Sequence, residues 1–505
     1  MPDEPAYLNE SGDTTYAGLL SSGEALARAL LDLGIRPGDV IAFQTPNWFE
    51  AAVINLAASL GGFVIAPIVH IYRAAEVQHM LADSGARAFF VAEKFRAIDY
   101  AAMVDRITPG LPDLAHVVLV RPATPNSGLA ALIEHGRKLT HSLPNSDPDS
   151  VKLVLYTSGT TGRPKAVLHS HNTLARVIDV TAEYLALGRD TVLMPSPVTH
   201  ITGYAGALEK PFQVDARAVL MEQWDAQKAV ELIERFGITS TVAATPFLVE
   251  LCAAAQQAGA GLASLRSFAC GGASVPPDLV RSANSSMAHP CVARVYGSSE
   301  VPQATQGYRA SVEPDLAAIS DGHAIDYDIR ICNDEDCPLP VGSEGEVQVR
   351  GPAMFLGYGD PQQTSGALTA DGYFRTGDIG RIGTGGELTI TGRKKDLIIR
   401  GGENISAREI EEVLDRHPAV AESSVVAMPH QRLGEGVCAF VILLPGNEVT
   451  KADLVEHVRH SGLALQKCPE HIELVSDFPR TASGKVRKDQ LRDEARRLVS
   501  AQARS

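Results

Sequence analysis

The pattern of apolar segments predicts an α/β protein: a large N-terminal body of stacked sheets with flanking helices, followed by a small α+β C-terminal domain. Three observations predict it. Short aliphatic runs alternate with segments of helical period through the N-terminal half. A loop of hydroxyls, glycines and a lysine at 157–165 follows an apolar run at 151–156. Near residue 394 charge and glycine interrupt the apolar pattern, and a second mixture of helices and strands begins. The domains are therefore placed at 1–394 and 395–505, and the second is long enough for a core of its own.

The elements follow in order. Leu26, Ala29, Leu30 and Leu33 lie at helical spacing and stop at Gly34, a C-terminal cap. Residues 40–43 read as a strand, 48–60 as a helix and 63–66 as extended; 74–83 is helical again and leads into an apolar strand at 87–92. The same rhythm returns at 226–236 and 238–243. The uncharged stretch 51–69 has the length of a membrane span, but Asn55, Ser59, Gly61, Gly62 and Pro67 interrupt it. A buried helix ending at the glycines, then a buried strand, explains it better. In the C-terminal domain Ser406 and Glu409 have the spacing of a capping box for a helix running to about His417. Strands at 423–427 and 439–444 and a helix at 451–460 follow.

The 505 residues are 45% hydrophobic and 21% charged, ordinary for a globular protein. A net charge of -15 argues against a general nucleic-acid binder, while leaving room for a local basic cleft around a small anion. Seven cysteines stand apart, with no CxxC pair, so neither a disulfide framework nor a zinc knuckle is indicated. The N-terminus carries Asp3 and Glu4 and lacks the order of a signal peptide. A cytoplasmic protein without a transmembrane segment is expected, and a homo-oligomer stays open.

The loop is the most specific signal. Thr157, Ser158, Thr160 and Thr161 surround Gly159 and Gly162, and Lys165 closes the stretch. Glycines let successive amides and hydroxyls converge on one anion, and the lysine adds charge at the edge. It lacks the Walker spacing, and no Gly-x-Gly-x-x-Gly opens a helix near the start. A plain surface turn is the alternative.

Other segments suit the remaining parts of a nucleoside triphosphate. Gly271, Gly272 and Ala273 follow a short strand and permit close approach to a flat base. Tyr296 offers an aromatic face beside Gly297. Glu300 is a hard oxygen ligand for magnesium. Asp378 can accept from two ribose hydroxyls, and Arg393 can reach ribose or phosphate oxygens. Singly, each has a duller reading: Tyr296 as a packing aromatic, Glu300 as a helix-start carboxylate, residues 376–378 as a turn. Their joint occurrence favours the site.

Taken together, these motifs resemble the adenylate-forming superfamily of acyl-CoA synthetases, peptide-synthetase adenylation domains and beetle luciferases, over nearly the whole chain. The resemblance implies ATP, Mg2+ and coenzyme A as cofactors and a small-molecule carboxylic acid as substrate. It makes the 157–165 loop the signature phosphate loop, with Thr160 and Glu300 at the metal, and adds Ser299 to the adenine-side segment. It gives Asp378 to the ribose, Arg393 to the interdomain position and Lys395 to the hinge. Gly401 and Gly402 fall on the loop beside the pantetheine channel, and Lys485 becomes the lysine that drives adenylation. By itself Lys485 would read as a solvent lysine among Arg480, Arg487 and Lys488. The C-terminal domain is then mobile, rotating about the hinge between two half-reactions.

Three departures stand out. Ser299 replaces the usual threonine and keeps a hydroxyl. Pro429-His430 stands where Pro-Asp is usual, followed by the expected Gly434 and Glu435. The first helix begins close to the N-terminus, so an edge segment of many members is abbreviated. The acyl pocket is expected around His200, Tyr204, Gly271, Gly272, Val301 and Pro302, where the glycines leave room for a ring. The 197–204 segment resembles cyclohexanecarboxylate and related CoA ligases, and no acidic residue is placed for a substrate ammonium. Medium-chain and aryl acids stay open, as one methylene is worth only about 1–3 kcal/mol in such a pocket. Two other functions remain: adenylation followed by transfer to a carrier-protein pantetheine, and an inactive nucleotide-binding regulatory protein.

Overall fold

The computed structural model describes residues 2–10, 12–157, 164–185, 189–273, 275–400, 403–481 and 484–502. It divides into two compact units, Met1–Asp328 with Arg350–Gly372, and Ile329–Val349 with Tyr373–Ser505. The expected boundary at 394/395 falls inside the second unit, at the short 3-10 turn Lys394–Asp396.

The first unit is built on two seven-stranded sheets. One runs Val292–Val295, Ser267–Gly271, Ser240–Ala243, Asp190–Met194, Ala216–Leu220, Pro5–Tyr7, Thr14–Thr15. The other runs Gly357–Tyr358, Lys165–Ser170, Val151–Thr157, Val64–Pro67, Val40–Gln44, Ala88–Ala92, His116–Val120. Five successive strands of the second sheet, Val151–Thr157 through His116–Val120, pair in parallel. Strands buried on both faces need no polar alternation, which is why Ala88–Ala92 is apolar throughout and wholly buried. The helices Tyr16–Asp32 and Glu50–Gly61 pack on each other, and their Leu19, Leu26, Leu30 and Ile54 are fully buried. Each such leucine or isoleucine contributes roughly 1.5–3 kcal/mol.

Most expected elements are present within a residue or two. The helix that holds Leu26 and Leu30 spans Tyr16–Asp32, and the uncharged stretch is the helix Glu50–Gly61 followed by the strand Val64–Pro67. Gly62 caps that helix in the left-handed region, φ 69°, where a side chain would be strained. Among the described residues no helix is long and apolar enough to cross a membrane. All seven cysteines are free thiols.

The second unit holds a four-stranded sheet, Asp328–Cys332, Gly345–Arg350, Phe374–Ile382, Leu388–Arg393, and a five-stranded sheet. The latter runs Glu403–Ile405, Ile398–Arg400, Gly434–Leu443, Val420–His430, with His471–Leu474 also paired in parallel to Gly434–Leu443. One apolar cluster joins this sheet to the helices Ala407–Leu414 and Lys451–His460, and another includes Leu491 and Ala495 of the helix Lys488–Gln502. The capping box does not form. Ser406 stands at the N-cap, but its hydroxyl donates to the Thr391 carbonyl (2.9 Å), and Glu409 pairs with Lys467. A tertiary acceptor outcompetes the local one, and the helix ends at Leu414, short of His417.

Three carboxylates meet around Ser423. Its hydroxyl donates to Asp415 Oδ1 at 2.7 Å, and Glu411 and Glu422 flank the same patch. Burial pushes the Asp415 carboxyl up to about 7, with Glu411 and Glu422 adding to the shift and the Ser423 hydrogen bond opposing it. A folded pKa above the unfolded one gives stability that is present in acid and is lost as pH rises through about 7. Asp415→Asn keeps the hydrogen-bond acceptor without the charge. It is expected to be more stable than the parent by roughly 2–4 kcal/mol at pH 8. The gain should shrink toward zero near pH 4. Urea unfolding across that pH range measures it, and equal stabilities at pH 8 would contradict the assignment.

Candidate active site

Thr157 and Lys165, the ends of the expected phosphate loop, are register partners of the antiparallel strands Val151–Thr157 and Lys165–Ser170. Ser158, Gly159, Thr160, Thr161 and Gly162 lie outside the described residues. The hairpin emerges at the carboxyl end of a strand paired in parallel to Val64–Pro67, where α/β sheets bind ligands.

Glu300 is held in a fixed orientation in the same unit. Its Oε1 accepts from the Tyr358 hydroxyl at 2.8 Å and its Oε2 from Ser298 Oγ at 2.9 Å. Burial and the adjacent Glu300 carboxylate push the Tyr358 hydroxyl far up, so it stays protonated and donates. Lys165 Nζ sits 5.0 Å from the centre of the Tyr358 ring, a cation–π contact. Lys165, Tyr358 and Glu300 thus form one wall beside the hairpin. Behind it, the buried Ser299 carbonyl lies 2.7 Å from His169 Nε2, and burial lowers the His169 pKa to about 4, so the ring is neutral.

Tyr296 is buried, and its amide donates to Thr305 Oγ1 at 2.8 Å. Gly297 admits no side chain, because a Cβ would meet the Gln303 amide nitrogen at 2.5 Å. Gly271 ends its strand beside Val295, and a Cβ there would meet the Val295 carbonyl oxygen at 2.5 Å. Its lack of a side chain thus serves strand packing. Gly272 is exposed with φ 77°, and Ala273 beside it is exposed.

The expected acyl-pocket residues are less uniform. His200 caps the short helix Ile201–Gly203, which continues into a π-helical turn, Tyr204–Glu209, a feature frequent at functional sites. Tyr204 is fully buried and its hydroxyl donates to Asn55 Oδ1 at 2.5 Å. Asn55 Nδ2 donates to Glu209 at 2.6 Å, and Glu209 pairs with buried Lys152 at 2.6 Å. This chain links the π-helical turn to the strand that carries the phosphate loop. Val301 is fully buried, and the Pro302 carbonyl accepts from the Tyr327 hydroxyl at 3.1 Å. A shallow open cleft is lined by Val177, Val180, Thr181, Gln303, Gln306 and Tyr327 among others. None of the six expected pocket residues lines it, although Gln303 follows Pro302 directly.

In the second unit Asp378 and Arg393 face each other across the hairpin Phe374–Ile382/Leu388–Arg393, as register partners. Arg393 Nε lies 2.7 Å from Asp378 Oδ1, with Asp378 buried and Arg393 half exposed. The Asp378 amide donates to Thr376 Oγ1 at 3.0 Å. Both residues named for the ribose are thus brought together, and to each other. Lys395 is exposed in the turn Lys394–Asp396, its carbonyl accepting from Arg492 at 3.2 Å. Lys485 is half-buried. Gly401 and Gly402 lie outside the described residues.

Sequence reasoning missed Tyr358, Ser298 and His169. Ser298 could have been found from its place two residues before Glu300. Tyr358 is distant in sequence, and only the pairing of Gly357–Tyr358 with Lys165–Ser170 brings it near. Magnesium fits the donor set, since Glu300 offers an oriented hard oxygen at the phosphate-loop hairpin. Among the described residues no three His, Cys, Asp or Glu side chains gather as metal ligands, so substrate and loop oxygens would complete its shell.

These features define an adenylate-forming ligase. The AMP-binding enzyme family matches residues 1–359, and the AMP-binding enzyme C-terminal domain matches residues 409–485. The chain belongs to this family, and is an ATP-dependent ligase that activates a small-molecule carboxylic acid through an acyl-AMP intermediate. It is 36% identical to the medium-chain fatty-acid–CoA ligase of Escherichia coli K12, over 99% of this chain and 89% of that one. Among solved structures it is similar to ATP-bound MatB from Rhodopseudomonas palustris, at 28% identity and a TM-score of 0.87, covering 97% of this chain and 96% of that one. The amide bond synthetase McbA from Marinactinospora thermotolerans is similar at 26% identity and a TM-score of 0.86, with 97% of each chain covered.

Proposed function

We propose that the protein joins a hydrophobic carboxylic acid to coenzyme A, releasing AMP and pyrophosphate. The observation that carries this reading is the Glu300 carboxylate held by Tyr358 and Ser298 beside the phosphate-loop hairpin. The similarity to a medium-chain fatty-acid–CoA ligase supports the acid class and the acceptor. In the first half-reaction a carboxylate oxygen attacks the α-phosphorus of ATP and pyrophosphate leaves. Carboxylate and triphosphate repel each other, and Lys485 neutralises the charge that builds between them. Thr157, Ser158, Thr160, Thr161 and Lys165 hold the departing pyrophosphate, while Asp378 and Arg393 hold the ribose. Magnesium, when bound by Glu300 and Thr160, supplies charge neutralisation on the phosphate oxygens. In the second half-reaction the thiolate of CoA, guided past Gly401 and Gly402, attacks the acyl carbonyl and AMP leaves. Rotation about Lys395 and cytoplasmic placement belong to the same reading.

The acceptor has a second reading. It is a carrier-protein pantetheine in place of CoA; a structural neighbour named as an amide bond synthetase supports an acceptor other than CoA. A panel of medium-chain, alicyclic, aryl and dicarboxylic acids, scored for AMP with and without CoA or a holo carrier protein, tests both. CoA-dependent AMP release with medium-chain or alicyclic acids is expected. AMP release only with the carrier protein would move the acceptor. ATP binding without turnover of any acid would favour a regulatory protein.

A further inference from the structure

Lys485 lies on the return side of a short hairpin, outside which the Arg487 amide donates to the Pro479 carbonyl at 2.7 Å. Arg480 and Val486 form an isolated antiparallel bridge, outside any sheet. Within it the Thr481 amide donates to the Lys485 carbonyl (2.8 Å) and the Gly484 amide to the Thr481 carbonyl (2.9 Å). The Lys485 amide donates to Thr481 Oγ1 at 3.1 Å, and Gly484 is left-handed, φ 82°.

Two basic residues that flank the turn tie it to the rest of the domain. Arg480 Nη1 donates to the Gly484 carbonyl at 3.1 Å, and Nη2 pairs with Glu422 on the strand Val420–His430. Lys488, three residues past Lys485, pairs with Glu411 on the helix Ala407–Leu414 at 2.7 Å. The same Glu411 oxygen accepts the Val425 amide at 2.7 Å, so the helix Ala407–Leu414, the strand and the start of the helix Lys488–Gln502 share one anchor just past the turn. Glu411 is largely buried, so its pairing with Lys488 is sheltered from solvent. Each carboxylate thus holds one cation, Arg480 at the start of the turn and Lys488 just past it.

We propose that Glu422 and Glu411 are positioning residues for Lys485: through Arg480 and Lys488 they clamp the turn so that the lysine is aimed for acyl-AMP formation. The clamp rests on the reading that Lys485 acts in that half-reaction. Neither carboxylate touches substrate in this account, and neither serves thioester formation.

The test uses the full chain and separates the half-reactions. Glu422→Gln and Glu411→Gln are each expected to slow acyl-AMP formation about 10- to 100-fold, the scale of a misplacement near 1 Å. The KM for ATP and the rate at which supplied acyl-AMP is consumed by CoA should stay within about threefold, because nucleotide binding and the second step do not use the aimed lysine. The second rate also reports that each variant is folded. Glu422→Asp and Glu411→Asp, which keep the charges that face Arg480 and Lys488, should retain most of the parent rate, which a merely structural defect would not do. Equal loss of both half-reactions, unchanged acyl-AMP formation, or Asp variants as slow as the Gln variants would overturn the clamp. Lys485→Ala with normal acyl-AMP formation would overturn the lysine's role and the clamp together. If the parent does not use CoA, the proposed acceptor fails, and the clamp is judged on the split between KM and kcat in pyrophosphate exchange.

Discussion

Lys485→Ala is expected to lower acyl-AMP formation by about 10²–10³-fold, with consumption of supplied acyl-AMP nearly unchanged. The asymmetry follows from charge. In the first half-reaction an anionic carboxylate approaches an anionic triphosphate, and negative charge accumulates on the oxygens around phosphorus. A lysine placed there stabilises the transition state more than the ground state, which is the condition for raising kcat. In the second half-reaction pyrophosphate has gone, and the same charge has less to neutralise. Single-turnover quench measurements of each step separate the two. Equal loss in both would remove Lys485 from its role.

The second large effect is at Glu300. Glu300→Gln should reduce acyl-AMP formation by about 100-fold and raise the magnesium concentration needed for half-maximal rate. The amide retains an oxygen for the Tyr358 or Ser298 hydroxyl, so packing is preserved while the charge is lost. A hard divalent ion loses most from that change, because its attraction to an oxygen ligand scales with ligand charge. Tyr358→Phe leaves the charge and removes one orienting hydrogen bond, at a net cost of about 1.5–3 kcal/mol for a bond to a charged group. Its effect should be smaller than that of Glu300→Gln. A magnesium titration unaltered in Glu300→Gln would contradict the assignment.

The helix–strand alternation was legible because each element is amphipathic or wholly apolar over its full length. The helices Ala226–Phe236 and Lys451–His460 begin and end where the sequence places them. Caps that depend on tertiary partners were not legible: Ser406 has the right spacing for a box, yet its hydroxyl is taken by Thr391, fifteen residues earlier in the chain. At the candidate site, motif residues stood out wherever chemistry restricts residue type, as at Glu300 and Asp378. What holds them was hidden, because Tyr358 reaches Glu300 across 58 positions and Arg393 meets Asp378 only through a bulged hairpin register. The roles of glycines were the least legible. Gly271 looks like space for a ligand in sequence, and the structure accounts for it by the Val295 carbonyl on the adjacent strand.

The central claim is that this chain activates a carboxylate as its adenylate. The most direct measurement is a quenched reaction of enzyme, acid and ATP labelled at the α-phosphate, with magnesium and no acceptor. Enzyme-bound acyl-AMP should appear in an amount matching the pyrophosphate released and close to the amount of enzyme. Formation of ADP and an acyl phosphate, or label remaining in ATP with every acid of the panel, would contradict it.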